Sequence, residues 1–444
     1  MARRSPAAAL EHGRPVRRPE ILGGAVRRSV LPSGLRVVTE HMTSSHTFSV
    51  GFYVGVGSRN ESDAVHGASH FLEHVLFKGT SRRSAEEISA AIESVGGDIN
   101  AYTAKEYTCF YARVLDSDAD LAVDVLTDML TSSLVLTTDV AAERSVILDE
   151  IAMHSDDPAE TVQEIVAGQI FGHTGLGRPV VGSVESISAL SRQQIVRHWR
   201  RHYRPSSIVV AAAGHVDHDR LVAQLGAFDG LAAGPAPGKV APTQIGSGEP
   251  LVTKSIPLEQ CSAVVGLPSP GVFDDRRYPL GLLSLILGGG MSSRLFVQIR
   301  ERRGLSYSID ADETAYSDAG LWTVDWQCAP DKLAEILRLV HTILTDVAES
   351  GVTSDELARA KGQMRGQTVL SYEGPSSRMG RLGVSALMGD NRSLTELLDR
   401  YDAVTAESVQ CEARELFQQQ PVLAVVGPRV QRRALQALLK DWAP

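Results

Sequence analysis

His70, Glu73 and His74 stand within five consecutive residues of the chain. On a helix, residues four apart lie one above the other on the same face, so the two imidazoles can share one cation. Glu73 falls on nearly that face, close enough to touch a water on the metal without being a ligand. The order is the reverse of His-Glu-x-x-His and serves the same chemistry. Neutral imidazoles bind zinc well and leave its charge in place, and the metal lowers the pKa of bound water to about 7. A neighbouring carboxylate can then take the proton and pass it to a leaving amine. A catalytic zinc still needs a third protein ligand. Glu143 and Glu150 are seven residues apart in a helical stretch, hence on one stripe. Either can supply the carboxylate, and the other can orient a histidine.

These groups must be carried by regular elements. The stretch 67–77 has apolar positions at Phe71, Leu72, Val75 and Leu76, the pattern of a half-buried helix whose polar face borders a cavity. A second amphipathic helix spans 85–95 and is stopped by Gly96-Gly97, and 98–114 is rich in strand-prone residues. Further helices are expected over 119–130 and 140–153, and strands over 48–56 and 208–213. Val30 to Val38 reads as two short strands around Pro32-Ser33-Gly34.

Ala, Gly and Pro crowd into 231–247, which divides the chain as a linker. The second half repeats the plan of the first. A strand at 261–268, a helix at 278–287, Gly288-Gly289-Gly290, a helix at 294–302 and strands within 306–325 follow one another. Each half ends on a helix and a strand, 192–199 with 208–213 and 406–417 with 423–427.

A chain of 444 residues exceeds a single core. Its net charge of −9 argues against a nucleic-acid binder and is compatible with basic peptides. Cys109, Cys261, Cys328 and Cys411 are scattered singly, which fits buried free thiols in a reducing compartment. No run of about 18 apolar residues offers a membrane span. The Arg-rich start, 1–28, lacks the apolar centre of a secretory signal, and Glu11, Glu20 and its prolines favour a solvated, disordered tail over the alternative of an organellar transit peptide.

The run His66 to Thr80, with His70-Phe71-Leu72-Glu73-His74 at its centre, resembles the signature of the pitrilysin-type (family M16, inverzincin) metallopeptidases. It is most similar to the branch of roughly half-length subunits that includes the mitochondrial processing peptidase β subunit and its bacterial relatives. The resemblance implies that His70 and His74 bind zinc, Glu73 is the general base, Glu150 is the third ligand and Glu143 supports the site. Gly97 to Thr103 is similar to the family's substrate-binding edge strand, where Asn100 and Ala101 would hold a peptide by main-chain bonds. Gly288 to Phe296 and Arg300 to Tyr307 also match. By that resemblance Arg300 and Tyr307 hold substrate and stabilise the oxyanion, although Arg302 and Arg303 compete for the arginine's place.

The implied fold is α+β. It has two related domains, 29–230 and 248–444, each an antiparallel sheet with helices on one face, enclosing a chamber. The implied activity is zinc-dependent hydrolysis of short or unfolded peptides by a homodimer, one zinc per catalytic chain. The expected location is cytoplasmic, with a mitochondrial matrix as the alternative. A noncatalytic structural subunit of the same fold, like the core proteins of the cytochrome bc1 complex, is the rival; those typically lack an intact zinc motif.

Overall fold

The computed structural model describes residues 25–231, 234, 240–246 and 248–442. Six strands form the first sheet: β1 (Ala25–Val30), β2 (Arg36–His41), β3 (Thr47–Val54), β4 (Asp98–Thr103), β5 (Thr108–Leu115) and β6 (Ile208–Gly214). Their order is β1-β2-β6-β3-β5-β4. The second sheet holds β7 (Leu251–Ser255), β8 (Cys261–Ser269), β9 (Ile309–Ala315), β10 (Gly320–Cys328) and β11 (Val422–Gly427), in the order β7-β11-β8-β10-β9. With β1 set aside, the two orders follow one plan, so the internal repeat is a repeat of topology.

Two details differ from the expected domains. Each sheet contains one parallel pair, β2 with β6 and β7 with β11; the other neighbours are antiparallel. In both cases a long, helix-bearing stretch of chain separates the partners, the kind of connection a parallel pair requires. Each sheet is also covered on both faces. On the first, Phe52 stacks on Phe228 on one side. On the other, Tyr53, Cys109, Val209 and Ala211 pack against Met379 and Leu382 of the helix Pro375–Met388. On the second, Val264, Leu321 and Ala424 meet Val162, Val166 and Ile170 of the helix Pro158–Phe171, while Ala263, Val265 and Val425 join the cluster of Leu283, Ile336 and Val340 on the far side.

Each sheet therefore takes one covering helix from the other half of the chain. Accordingly, one compact unit comprises residues up to 149, 180–240 and 369–396, and the other comprises 150–179, 241–368 and 397 onward. Glycine makes the close approach possible. A Cβ on Gly383 would come within 2.1 Å of the Tyr53 ring, and one on Gly266 within 2.2 Å of Val166.

Residues 25–28, assigned above to the disordered tail, are the first part of β1, paired from Ala25↔His41. Arg27 is held there by Asp219, at 2.7 and 2.9 Å. Charged side chains on an edge strand hide the apolar alternation that marks a buried one. The rest of the tail and residues 232–233, 235–239 and 247 of the linker lie outside the described residues. Cys109, Cys261 and Cys328 are buried, whereas Cys411 is exposed, contrary to the expectation of four buried thiols. Among the described residues, no helix is long and apolar enough to cross a membrane.

Candidate metal centre

The zinc motif lies on α1 (Ala68–Leu76), whose Phe71, Leu72, Val75 and Leu76 are fully buried. Burying four large side chains fixes the helix's rotation, and that fixes the direction of its polar face. Its N-terminus is held by a carboxylate. Glu61, itself buried, accepts hydrogen bonds from the backbone N–H of Gly67 at 2.7 Å and of Ser69 at 2.6 Å. Two donors left over at a helix start are thereby satisfied by a group whose charge suits that end.

Next along the chain come α2 (Ala85–Glu93), α3 (Ala119–Ser132) and α4 (Thr137–Asp156). The last carries Glu143 and Glu150. It is unbroken across position 149–150, so a single rod sets the spacing of the two carboxylates. Glu143 is buried, and it accepts from His74 Nδ1 at 3.0 Å and from Lys78 Nζ at 2.5 Å. Donation from Nδ1 leaves Nε2 as the acceptor nitrogen of the His74 ring, the form a metal ligand needs. The ammonium of Lys78 compensates a carboxylate that would otherwise be costly to bury.

His70 and His74 meet edge to face, with ring centroids 4.7 Å apart. Ligand atoms from His70, His74 and Glu150 lie within 4.8 Å of one another, the one such group among the described residues. A zinc ion with bonds of about 2.0–2.2 Å holds its ligands some 3.5 Å apart. The three donors thus need to draw together by only about an ångström, and two imidazoles with one carboxylate form a set typical of catalytic zinc. The site fits the metal that the motif implies. Glu73 is outside this set; its Oε2 accepts a hydrogen bond from Thr103 Oγ1 at 2.6 Å.

Asn100 and Ala101 lie on β4, the edge strand of the first sheet, and Asn100 Oδ1 accepts from the Ala101 N–H at 2.8 Å. Arg300 and Tyr307 belong to the second unit and are brought to each other. The Arg300 guanidinium lies 4.8 Å from the centroid of the Tyr307 ring and 4.6 Å from that of Phe296. Arg303 is engaged instead by the carbonyl of Gln298, at 2.7 Å. The segment around Arg300, Phe296–Glu301, is π-helical rather than α-helical, with the Arg302 N–H reaching back five residues to Val297.

Three residues of the centre went unread in the sequence. Lys78 had a signal, standing four after His74, just beyond the end of α1. Glu61 and Thr103 had none, because each meets α1 only through the fold.

A second histidine pair of identical spacing, His198 and His202, lies on the helix Arg192–His202, with ring centroids 4.5 Å apart. His198 Nε2 is 3.1 Å from Ser69 Oγ, behind α1. Burial, then the neighbouring His202 and Arg201, push His198 down to about 3. Burial also lowers His202 to about 4. No third ligand joins this pair among the described residues.

Residues 36–184 match the family Insulinase (Peptidase family M16), and residues 189–364 match the Peptidase M16 inactive domain. The chain is 45% identical to an uncharacterized zinc protease of Streptomyces coelicolor, over 93% of this chain and 91% of that one. It is 34% identical to the uncharacterized zinc protease YmxG of Bacillus subtilis, over 91% and 98%. The fold is that of a protease from Helicobacter pylori, with a TM-score of 0.84 at 19% identity over 91% of this chain and 100% of that one. This chain belongs to peptidase family M16.

Proposed function

We propose that this member of the family is a zinc-dependent endopeptidase acting on short or unfolded peptides. The observation that carries the reading is the convergence of His70, His74 and Glu150 within 4.8 Å, with Glu73 on the same helix and outside the ligand set. Membership of family M16 and the zinc proteases among its relatives support it. A zinc ion held by the three residues would supply a Lewis acid and a water of lowered pKa, about 7. Glu73, as a carboxylate, takes the proton of the attacking water and delivers it to the leaving nitrogen. Glu143 keeps His74 in the ligating tautomer and fixes its ring.

An extended peptide adds as a further strand along the outer edge of β4, held by main-chain bonds at Asn100 and Ala101. That mode needs a substrate whose backbone is not already paired, which favours short or unfolded chains. Arg300 and Tyr307 act on the scissile carbonyl as charge develops on its oxygen.

Metal analysis combined with cleavage of a mixed peptide library tests the reading. The purified protein is expected to hold about one zinc per chain, the complement of a three-ligand site. It is expected to cleave the library, to stop when a chelator strips the metal, and to recover on adding zinc. Cleavage that survives full metal removal would sink the proposal. Tyr307→Phe is expected to lower turnover roughly 100-fold with zinc content unchanged. If zinc were lost in parallel, Tyr307 would be a structural residue instead.

A further inference from the structure

We infer that Thr103 is a positioning residue for Glu73, pinning one oxygen of its carboxylate so that the other meets the attacking water. The inference rests on the proposed role of Glu73 as general base. Side chains of β4 alternate: Asp98, Asn100 and Tyr102 are exposed, whereas Ile99, Ala101 and Thr103 are partly covered. Thr103 is the last residue of the strand, and its hydroxyl donates to Glu73 Oε2 at 2.6 Å. That length is typical of an O–H donating to a charged carboxylate.

Glutamate has three rotatable bonds, and on a partly open helix face most of its rotamers point away from any one spot. A base that must reach one water loses rate when it wanders, since misplacement by about an ångström costs on the order of 100-fold. Tying one oxygen to a fixed donor removes most of that freedom. The hydroxyl has a single proton to give, so its donation to Glu73 also sets the direction of the bond.

Thr103 is itself well anchored. It is β-branched and therefore stiff at χ1, and its backbone pairs with Thr108 across the hairpin. The hairpin tip is fastened in turn. The carbonyls of Ala104 and Lys105 accept from the N–H groups of Ser58 and Arg59, at 3.2 and 2.8 Å. Arg59 and Glu106, both shielded from solvent, pair at 2.6 Å. Near Glu73, the Cys109 thiol is pushed up to about 12 by burial, and burial likewise raises the Tyr203 phenol. Both stay protonated and neutral at neutral pH, so neither competes with Glu73 for the role of base.

Consequently, β4 does two things. Its outer edge, at Asn100 and Ala101, sets the register of the peptide, and its end, two residues further on, sets the base. Both depend on one rigid strand, so the carbonyl to be attacked and the carboxylate that activates its water keep a fixed relation.

Steady-state kinetics on Thr103→Val, Thr103→Ser and Glu73→Gln test this in the zinc-loaded protein. Valine keeps the shape and removes the hydroxyl. Thr103→Val is expected to lower kcat roughly 10- to 100-fold, with KM, zinc content and Tm close to those of the parent. Thr103→Ser is expected to keep most of the activity. On a Glu73→Gln background, Thr103→Val should cost nothing further. An unchanged kcat in Thr103→Val overturns the inference, as does a loss in which zinc or Tm falls with it. Equal loss in the valine and serine variants overturns it too, since the hydroxyl would not be what matters. If valine prevents folding, Thr103→Ala is judged by the same criteria. The control separates the two levels: full activity in Glu73→Gln would refute the base itself, whereas an inactive Glu73→Gln beside a fully active Thr103→Val would refute only the positioning role.

Discussion

Glu73→Gln is expected to retain its zinc and lose peptidase turnover by about 1,000-fold, within the range that a positioned base contributes. The substitution changes one oxygen to an amide, keeps the length and shape, and leaves the ligand set of His70, His74 and Glu150 intact. Its amide oxygen can still accept the hydrogen bond that Thr103 gives to Glu73, so the helix face is not rearranged. What it cannot do is take a proton at neutral pH. The measurement is kcat on a cleaved library peptide, with zinc per chain determined on the same sample. Parent-level turnover would remove Glu73 from the mechanism. Loss of both zinc and turnover would move it into the ligand set.

The second large effect concerns metal affinity and separates the two glutamates of α4. Glu143→Gln is expected to weaken zinc binding about 10- to 100-fold, the usual cost of losing a residue that orients a ligand. Glu150→Gln is expected to cost more than that. Glu150 is the only anion among the three donors, so its neutralisation leaves two uncharged imidazoles to hold a divalent cation. Glu143 acts one step away, through His74 Nδ1 at 3.0 Å, and is shared with Lys78. Its loss also leaves the Lys78 ammonium facing the histidine, a secondary repulsion. Competition with a chromogenic chelator at fixed pH gives both affinities. The opposite order would exchange the two roles.

Much of the centre was legible because its chemistry is local. His70, Glu73 and His74 are carried by one helix, and a spacing of three and four residues places them together whatever that helix packs against. Glu143 and Glu150 likewise share the single helix α4. Their spacing could not say which one is the ligand; it was the resemblance to the family that named Glu150. Strands β3 to β6 were legible from their apolar or strand-prone residues, whereas β1 was not: Arg27 and Arg28 interrupt its apolar pattern, and Arg27 meets Asp219. The exchange of covering helices was also hidden. Nothing in the residues of Pro375–Met388 or Pro158–Phe171 says which sheet each helix will cover.

The two histidine pairs mark where the sequence stops deciding. His70 with His74 and His198 with His202 have the same spacing on helices, and spacing alone gives each the same chance of sharing a cation. The sequence determined that each pair would be adjacent, because the helix repeat is fixed by backbone geometry. Tertiary structure decided which of them could hold a metal. It brought α4 against the first pair, adding the Glu150 carboxylate, and it placed the second behind α1, where no third ligand joins it among the described residues. A site for a cation needs an anion from elsewhere in the chain, and which helix lies on which decides whether one is there.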